Sequence, residues 1–89
     1  MKKHYNITVK GRVQGVGFRY NARRQALTLG LDGFVKNMPD SSVYIETEGN
    51  EGELEEFVRW CRRGPSGSRV TDVIVSKSNL EGLSGFKAY

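Results

Sequence analysis

Apolar residues recur along this chain at two spacings, and the spacing changes at glycines and prolines. Across residues 4–10, Tyr5, Ile7 and Val9 alternate with other residues, the period of a strand with one buried face. Residues 11–18 carry Gly11, Gly15 and Gly17 and break that period, which predicts a loop. From residue 18 to 29, Phe18, Ala22, Ala26 and Leu29 fall on one face of a helix, and Gly30 ends it. Leu31, Gly33 and Val35 then alternate again, with Phe34 on the opposite face. Met38-Pro39-Asp40-Ser41-Ser42 is turn chemistry. Val43, Ile45 and Thr47 alternate with Tyr44 and Glu46, a third strand that pairs with the second as a hairpin.

Asn50 is placed as the N-cap of a second helix, with Glu53 three residues on in the manner of a capping box. Leu54, Phe57, Val58 and Cys61 follow at helical spacing, and Trp60 lies off that stripe, at the helix edge. Glu51, Glu53, Glu55 and Glu56 crowd the start of this helix and Arg59, Arg62 and Arg63 its end, the order that the helix dipole favours. Gly64-Pro65 stops it, and Ser66-Gly67-Ser68 continues as loop. Val70 to Val75 form a β-branched strand, Asn79 to Gly82 a turn, and Leu83 to Tyr89 a short terminal strand. The order β-α-β-β-α-β with a short fifth strand predicts an α+β fold. It is the ferredoxin-like sandwich, a mostly antiparallel sheet with two helices on one face.

The 89 residues suffice for one domain, taken as residues 1–89. A single cysteine excludes an intrachain disulfide and fits a reducing cytoplasm. Met1-Lys2-Lys3-His4 runs directly into strand pattern, so neither a signal peptide nor a membrane span is expected. The net charge of +4 suits an anionic ligand without separating small phosphate compounds from nucleic acid.

Several chemistries drop out. Gly11 and Gly15 are not followed by the Gly-Lys-Ser/Thr of a P-loop, and Gly15 and Gly17 lack the later glycine of a dinucleotide fingerprint. His4 is the only histidine and is expected to be a solvated strand residue. Asp32, Asp40 and Asp72 are too scattered to suggest a magnesium site, and no metal or cofactor is expected. Cys61 sits in the apolar stripe and reads as a buried structural thiol.

Arg19 stands out, because it falls where a helix begins. A helix start exposes unpaired N–H groups and the positive end of the dipole, so a cation there is unfavourable unless something negative shares the site. Glycines let the backbone approach such an anion. The segment from Gly11 to Arg19 therefore reads as a cradle for a phosphate-sized oxyanion, with one guanidinium as a clamp. Asn37, at the end of the second strand, is either a turn former before Pro39 or part of that site.

Gly11-Arg12-Val13-Gln14-Gly15-Val16-Gly17-Phe18-Arg19 resembles the first signature of the acylphosphatases. Gly33-Phe34-Val35-Lys36-Asn37, with Val43 and Gly49 downstream, resembles the second, and Gly64 to Val70 agrees as well. The resemblance implies metal-independent hydrolysis of a small acyl phosphate to carboxylate and inorganic phosphate. It implies that Arg19 and the backbone N–H groups of Gln14, Gly15, Val16, Gly17 and Phe18 bind the phosphate, and that Asn37 holds the attacking water. Two positions depart from the pattern. Ser41 replaces a glycine, which costs about 1 kcal/mol in a left-handed turn and predicts a reshaped hairpin. Ala22 replaces a threonine and removes a hydroxyl from the neighbourhood of the site.

Two rivals come from other classes. A single-stranded RNA module on the same fold would use exposed Phe34 and Tyr44, but Gly33-Phe34-Val35-Lys36 lacks the paired aromatics of an RNA-binding signature. A regulatory domain like those in larger carbamoyl-transfer proteins would keep the fold without the turnover. A monomeric enzyme accounts for the motifs without further partners.

Overall fold

A computed structural model describes residues 1–89. Strand β1 (Lys2–Arg12) leads to helix α1 (Phe18–Thr28), then to β2 (Asp32–Asn37) and β3 (Val43–Asn50). Helix α2 (Glu51–Arg63), β4 (Arg69–Ser78) and β5 (Phe86–Ala88) complete the chain. The five strands form one sheet in the order β4-β1-β3-β2-β5. All neighbours are antiparallel except β2 and β5.

One sheet face carries Tyr5, Ile7, Val9, Val35, Val43, Ile45 and Val73, and both helices bury their apolar sides against it. Helix α1 packs over β2 and β5, and α2 over β1, β3 and β4. The stripe Leu54, Phe57, Val58 and Cys61 is buried in full, as the periodicity requires. Burial pushes the Cys61 thiol well above its ordinary value, so it is an inert core group. Trp60 closes the edge of the core, stacking on Phe57 with ring centroids 6.1 Å apart and tilting onto Phe18 at 5.2 Å.

The strands differ in extent from the sequence reading. Strand β1 runs beyond 4–10 because it is sandwiched between two partners, pairing Lys2 with Asn50 of β3 and Arg12 with Arg69 of β4. Strand β4, an edge strand paired only with β1, extends to Ser78, opposite His4. Strand β5 is shorter than Leu83 to Tyr89 because the N–H groups of Glu81, Gly82 and Leu83 are committed to the Glu48 carboxylate. The capping box at α2 does not form. Asn50 occupies the N-cap but makes no side-chain cap bond, and the Glu51 N–H donates to the Met1 carbonyl at 3.2 Å.

The expectation for His4 is also corrected. This residue is fully buried, because β1 is an interior strand and β3 supplies two carboxylates to the imidazole. Its Nδ1 lies 2.6 Å from Glu48 and its Nε2 2.9 Å from Glu46. Burial alone pushes the imidazole down, but the hydrogen bonds to Glu48 and Glu46 hold it above its ordinary value. For Glu48, burial acts upward, while His4 and the N–H groups of Glu81 and Leu83 pull the carboxyl down to about 2. His4 thus holds the Glu48 carboxylate that fixes the segment leading into β5.

Candidate active site

The register of β1 against β4 shifts between Lys10 and Gly11, and this bulge turns the end of β1 into the loop of residues 13–17. That loop makes its tight path through Gly15 and Gly17, both left-handed at φ 74° and 78°. Gly17 is the N-cap of α1, a position where a side chain at that φ would be strained. The first turn of α1 contains no acidic residue. None of the main-chain hydrogen bonds outside helices and strands starts from an N–H of residues 14–17. The loop thus gathers free N–H donors at the positive end of a helix, the arrangement suited to an anion.

One cavity of about 300 Å³ opens beside this loop. Its walls include Gly15, Gly17, Phe18 and Arg19 from the predicted loop, together with Asn37 from the end of β2. The structure therefore brings the two separate motifs to one place. Arg19 is exposed and donates from Nη1 to the main-chain oxygen of Tyr89. No Asp or Glu side chain lines the walls or pairs with a cavity residue.

Asn37 presents the most telling atom. Its Oδ1 is buried and accepts no hydrogen bond. An orphaned buried acceptor costs about 1–3 kcal/mol, so its persistence at a cavity wall points to a function. The turn that follows is firmly built. The Ser42 N–H and hydroxyl donate to Asp40 Oδ1 at 3.0 and 2.5 Å, which holds the Asp40 carboxyl below its ordinary value. Ser41 takes the left-handed conformation, at φ 77°, the region that favours glycine.

Gln14 and Val16 do not line the cavity with their side chains. Gln14 Nε2 donates to the carbonyls of Met38 and Ser42, each at 2.9 Å, and Val16 packs against the core. Ala22 is buried, in the interface of α1 with the sheet. Val13 lies within the segment read as a cradle, whereas three cavity residues, Tyr20, Arg23 and Ala88, escaped the sequence reading. Arg23 had a usable signal, since it lies one helical turn beyond Arg19 on the same face. Ala88 had none, because only the parallel pairing of Val35 with Ala88 brings it there. The aromatics that an RNA module would offer are engaged with one another: Phe34 packs on Tyr44 and Tyr89 with centroids 6.2 and 6.0 Å apart. No helix is long and apolar enough to cross a membrane.

Comparison with known proteins agrees with this geometry. The family model for acylphosphatase matches residues 5–88. An acylphosphatase of Synechococcus sp. (strain CC9311) is 46% identical over 86 residues, which cover 97% of this chain and 96% of that relative. The crystal structure of acylphosphatase from Bacillus subtilis superposes with a TM-score of 0.95 at 44% identity, over 100% of this chain and 99% of the other. Full-length HypF, in its phosphate- and nucleotide-bound form, matches all of this chain with only 12% of its own length, at 32% identity and a TM-score of 0.90. With the matched span running through both the glycine loop and Asn37, the chain belongs to the acylphosphatase family and hydrolyses acyl phosphates.

Proposed function

We propose that Arg19 and the N–H groups of Gln14, Gly15, Val16, Gly17 and Phe18 bind the phosphoryl oxygens, and that Asn37 aims the attacking water. The observation that carries this reading is the buried, unpartnered Oδ1 of Asn37 in the wall shared with Arg19. The amide is a suitable aiming device, since its oxygen accepts from water and its NH₂ donates.

The reaction asks little of the protein. A carboxylate leaves readily, so no general acid is required. Negative charge in the loose transition state spreads over three equatorial oxygens, and catalysis is chiefly positioning and electrostatics. The water oxygen forms its bond to phosphorus as the bond to the carboxylate oxygen breaks, and the carboxylate departs with the electron pair. Asn37 is too weak a base to take the water proton, which passes to a phosphoryl oxygen of the substrate. No step requires a metal ion. The enzyme acts on small acyl phosphates as a monomer in the cytoplasm, a location supported by its single, unpaired cysteine, Cys61.

The test is hydrolysis of an aryl acyl phosphate in the presence of a chelator. Wild type turns over, Arg19→Ala loses activity, and Asn37→Ala loses turnover while keeping inhibition by inorganic phosphate. Near-normal turnover in Asn37→Ala overturns the water-aiming role.

A further inference from the structure

The cavity holds a second guanidinium beyond the one assigned to the phosphoryl group. Arg19 and Arg23 are separated by one turn of α1 and both line it. Arg23 is fixed rather than adrift: its Nε donates to the Phe86 carbonyl at 3.0 Å. That is the only hydrogen bond its side chain makes, so both terminal nitrogens of the fork remain free to donate. No Asp or Glu side chain neutralises it, and none lies in the cavity wall. Two guanidiniums near the start of one helix repel each other and oppose the dipole, a cost that an anionic ligand reverses.

The two forks have different neighbours. Arg19 adjoins the glycine loop with its free N–H groups, whereas Arg23 is tethered to β5, with Tyr20 and Ala88 completing the wall. Tyr20, 63% exposed, offers apolar surface at the rim. We propose that Arg23 is a specificity residue that selects acyl phosphates whose acyl half carries its own negative charge. This rests on the site reading above, in which Arg19 and the loop hold the phosphoryl group and the acyl half points toward Arg23. A forked donor suits a carboxylate or phosphate on that half, and lysine would supply the charge without the fork.

The experiment compares benzoyl phosphate with para-carboxybenzoyl phosphate, two substrates of one shape that differ by a carboxylate. Their kcat/KM ratio is measured in wild type, Arg23→Gln and Arg23→Lys. Wild type favours the charged substrate. Arg23→Gln lowers the ratio about tenfold, chiefly through KM of the charged substrate, and Arg23→Lys restores part of it. Added salt narrows the wild-type preference. An equal loss on both substrates, or an unchanged ratio, overturns the assignment of Arg23 while leaving acyl phosphate hydrolysis intact. Failure of wild type to cleave either substrate overturns both.

Discussion

Gln14 is tied to Ser42 by a 2.9 Å hydrogen bond from its side-chain amide to the Ser42 carbonyl. The bond joins the glycine loop to the hairpin that carries Asn37, and a second bond from the same nitrogen to Met38 makes the brace two-pronged. The group that would grip phosphate and the group that would aim water are therefore held in one frame, although they lie on different strand ends.

Gln14→Leu removes the brace and keeps most of the side-chain volume. The carbonyls of Met38 and Ser42 retain their bonds within the turn, from Ser41 N–H and Met38 N–H, so the fold survives. The expected loss is about 1 kcal/mol of stability. Turnover falls by more than that, about tenfold or beyond, because misplaced catalytic groups are costly. Urea unfolding and kcat on benzoyl phosphate, measured on one preparation, check the two effects separately.

Arg19→Lys and Asn37→Ala should fail differently. Lysine keeps the charge and loses the fork, so inorganic phosphate inhibition weakens together with kcat/KM. Asn37→Ala removes a group assigned to the water, so phosphate inhibition stays close to wild type while kcat drops roughly 10²–10³-fold, the scale of losing one preorganised hydrogen-bonding group. Inhibition constants for phosphate and single-turnover rates distinguish the two patterns.

Much of this architecture was legible because the signals are local. The stripe from Leu54 to Cys61 and the alternations around Ile7, Val35 and Ile45 reflect burial on one face of one element, and all of those residues are buried. Arg19 was legible because a cation among glycines at a helix start is an anomaly within a few residues of sequence. Features made by distant partners were not. His4 looks solvated until β3 contributes Glu46 and Glu48. Asn50 looks like a side-chain cap, yet its side chain makes no cap bond, and the Glu51 N–H beside it goes to the distant Met1 carbonyl. Arg23 resembles its neighbour Arg24 until Phe86 fixes it at the cavity, whereas Arg24 lies over the Tyr20 ring.

Ser41→Gly should stabilise the protein. Ser41 is the only residue other than glycine with a positive φ, and it is exposed, so nothing is lost by removing its side chain. Relief of left-handed strain outweighs the added chain entropy of glycine, for a net gain of roughly 0.5–1 kcal/mol. The thermal midpoint then rises by about 3–5 °C. A calorimetric scan of the variant checks this, and an unchanged kcat shows that the hairpin keeps its shape.

The pair of His4 and Glu48 makes stability depend on pH from both sides. The His4 pKa is raised in the folded chain, so its contribution is complete below the ordinary value of 6.5 and is lost as pH rises through the raised value. The Glu48 pKa is lowered from 4.5 to about 2, so its contribution is complete above 4.5 and is lost as pH falls toward 2. Between pH 4.5 and 6.5 the imidazolium and the carboxylate are both charged and both contribute. The thermal midpoint should therefore decline on either side of that window. His4→Gln alone removes the alkaline decline and costs roughly 3 kcal/mol at pH 6, since it breaks one half of a buried pair. It also loosens the segment that Glu48 anchors at residues 81–83, which hydrogen exchange at Gly82 and Leu83 would report as faster opening. If the alkaline decline persists unchanged in His4→Gln, the imidazole is not its source.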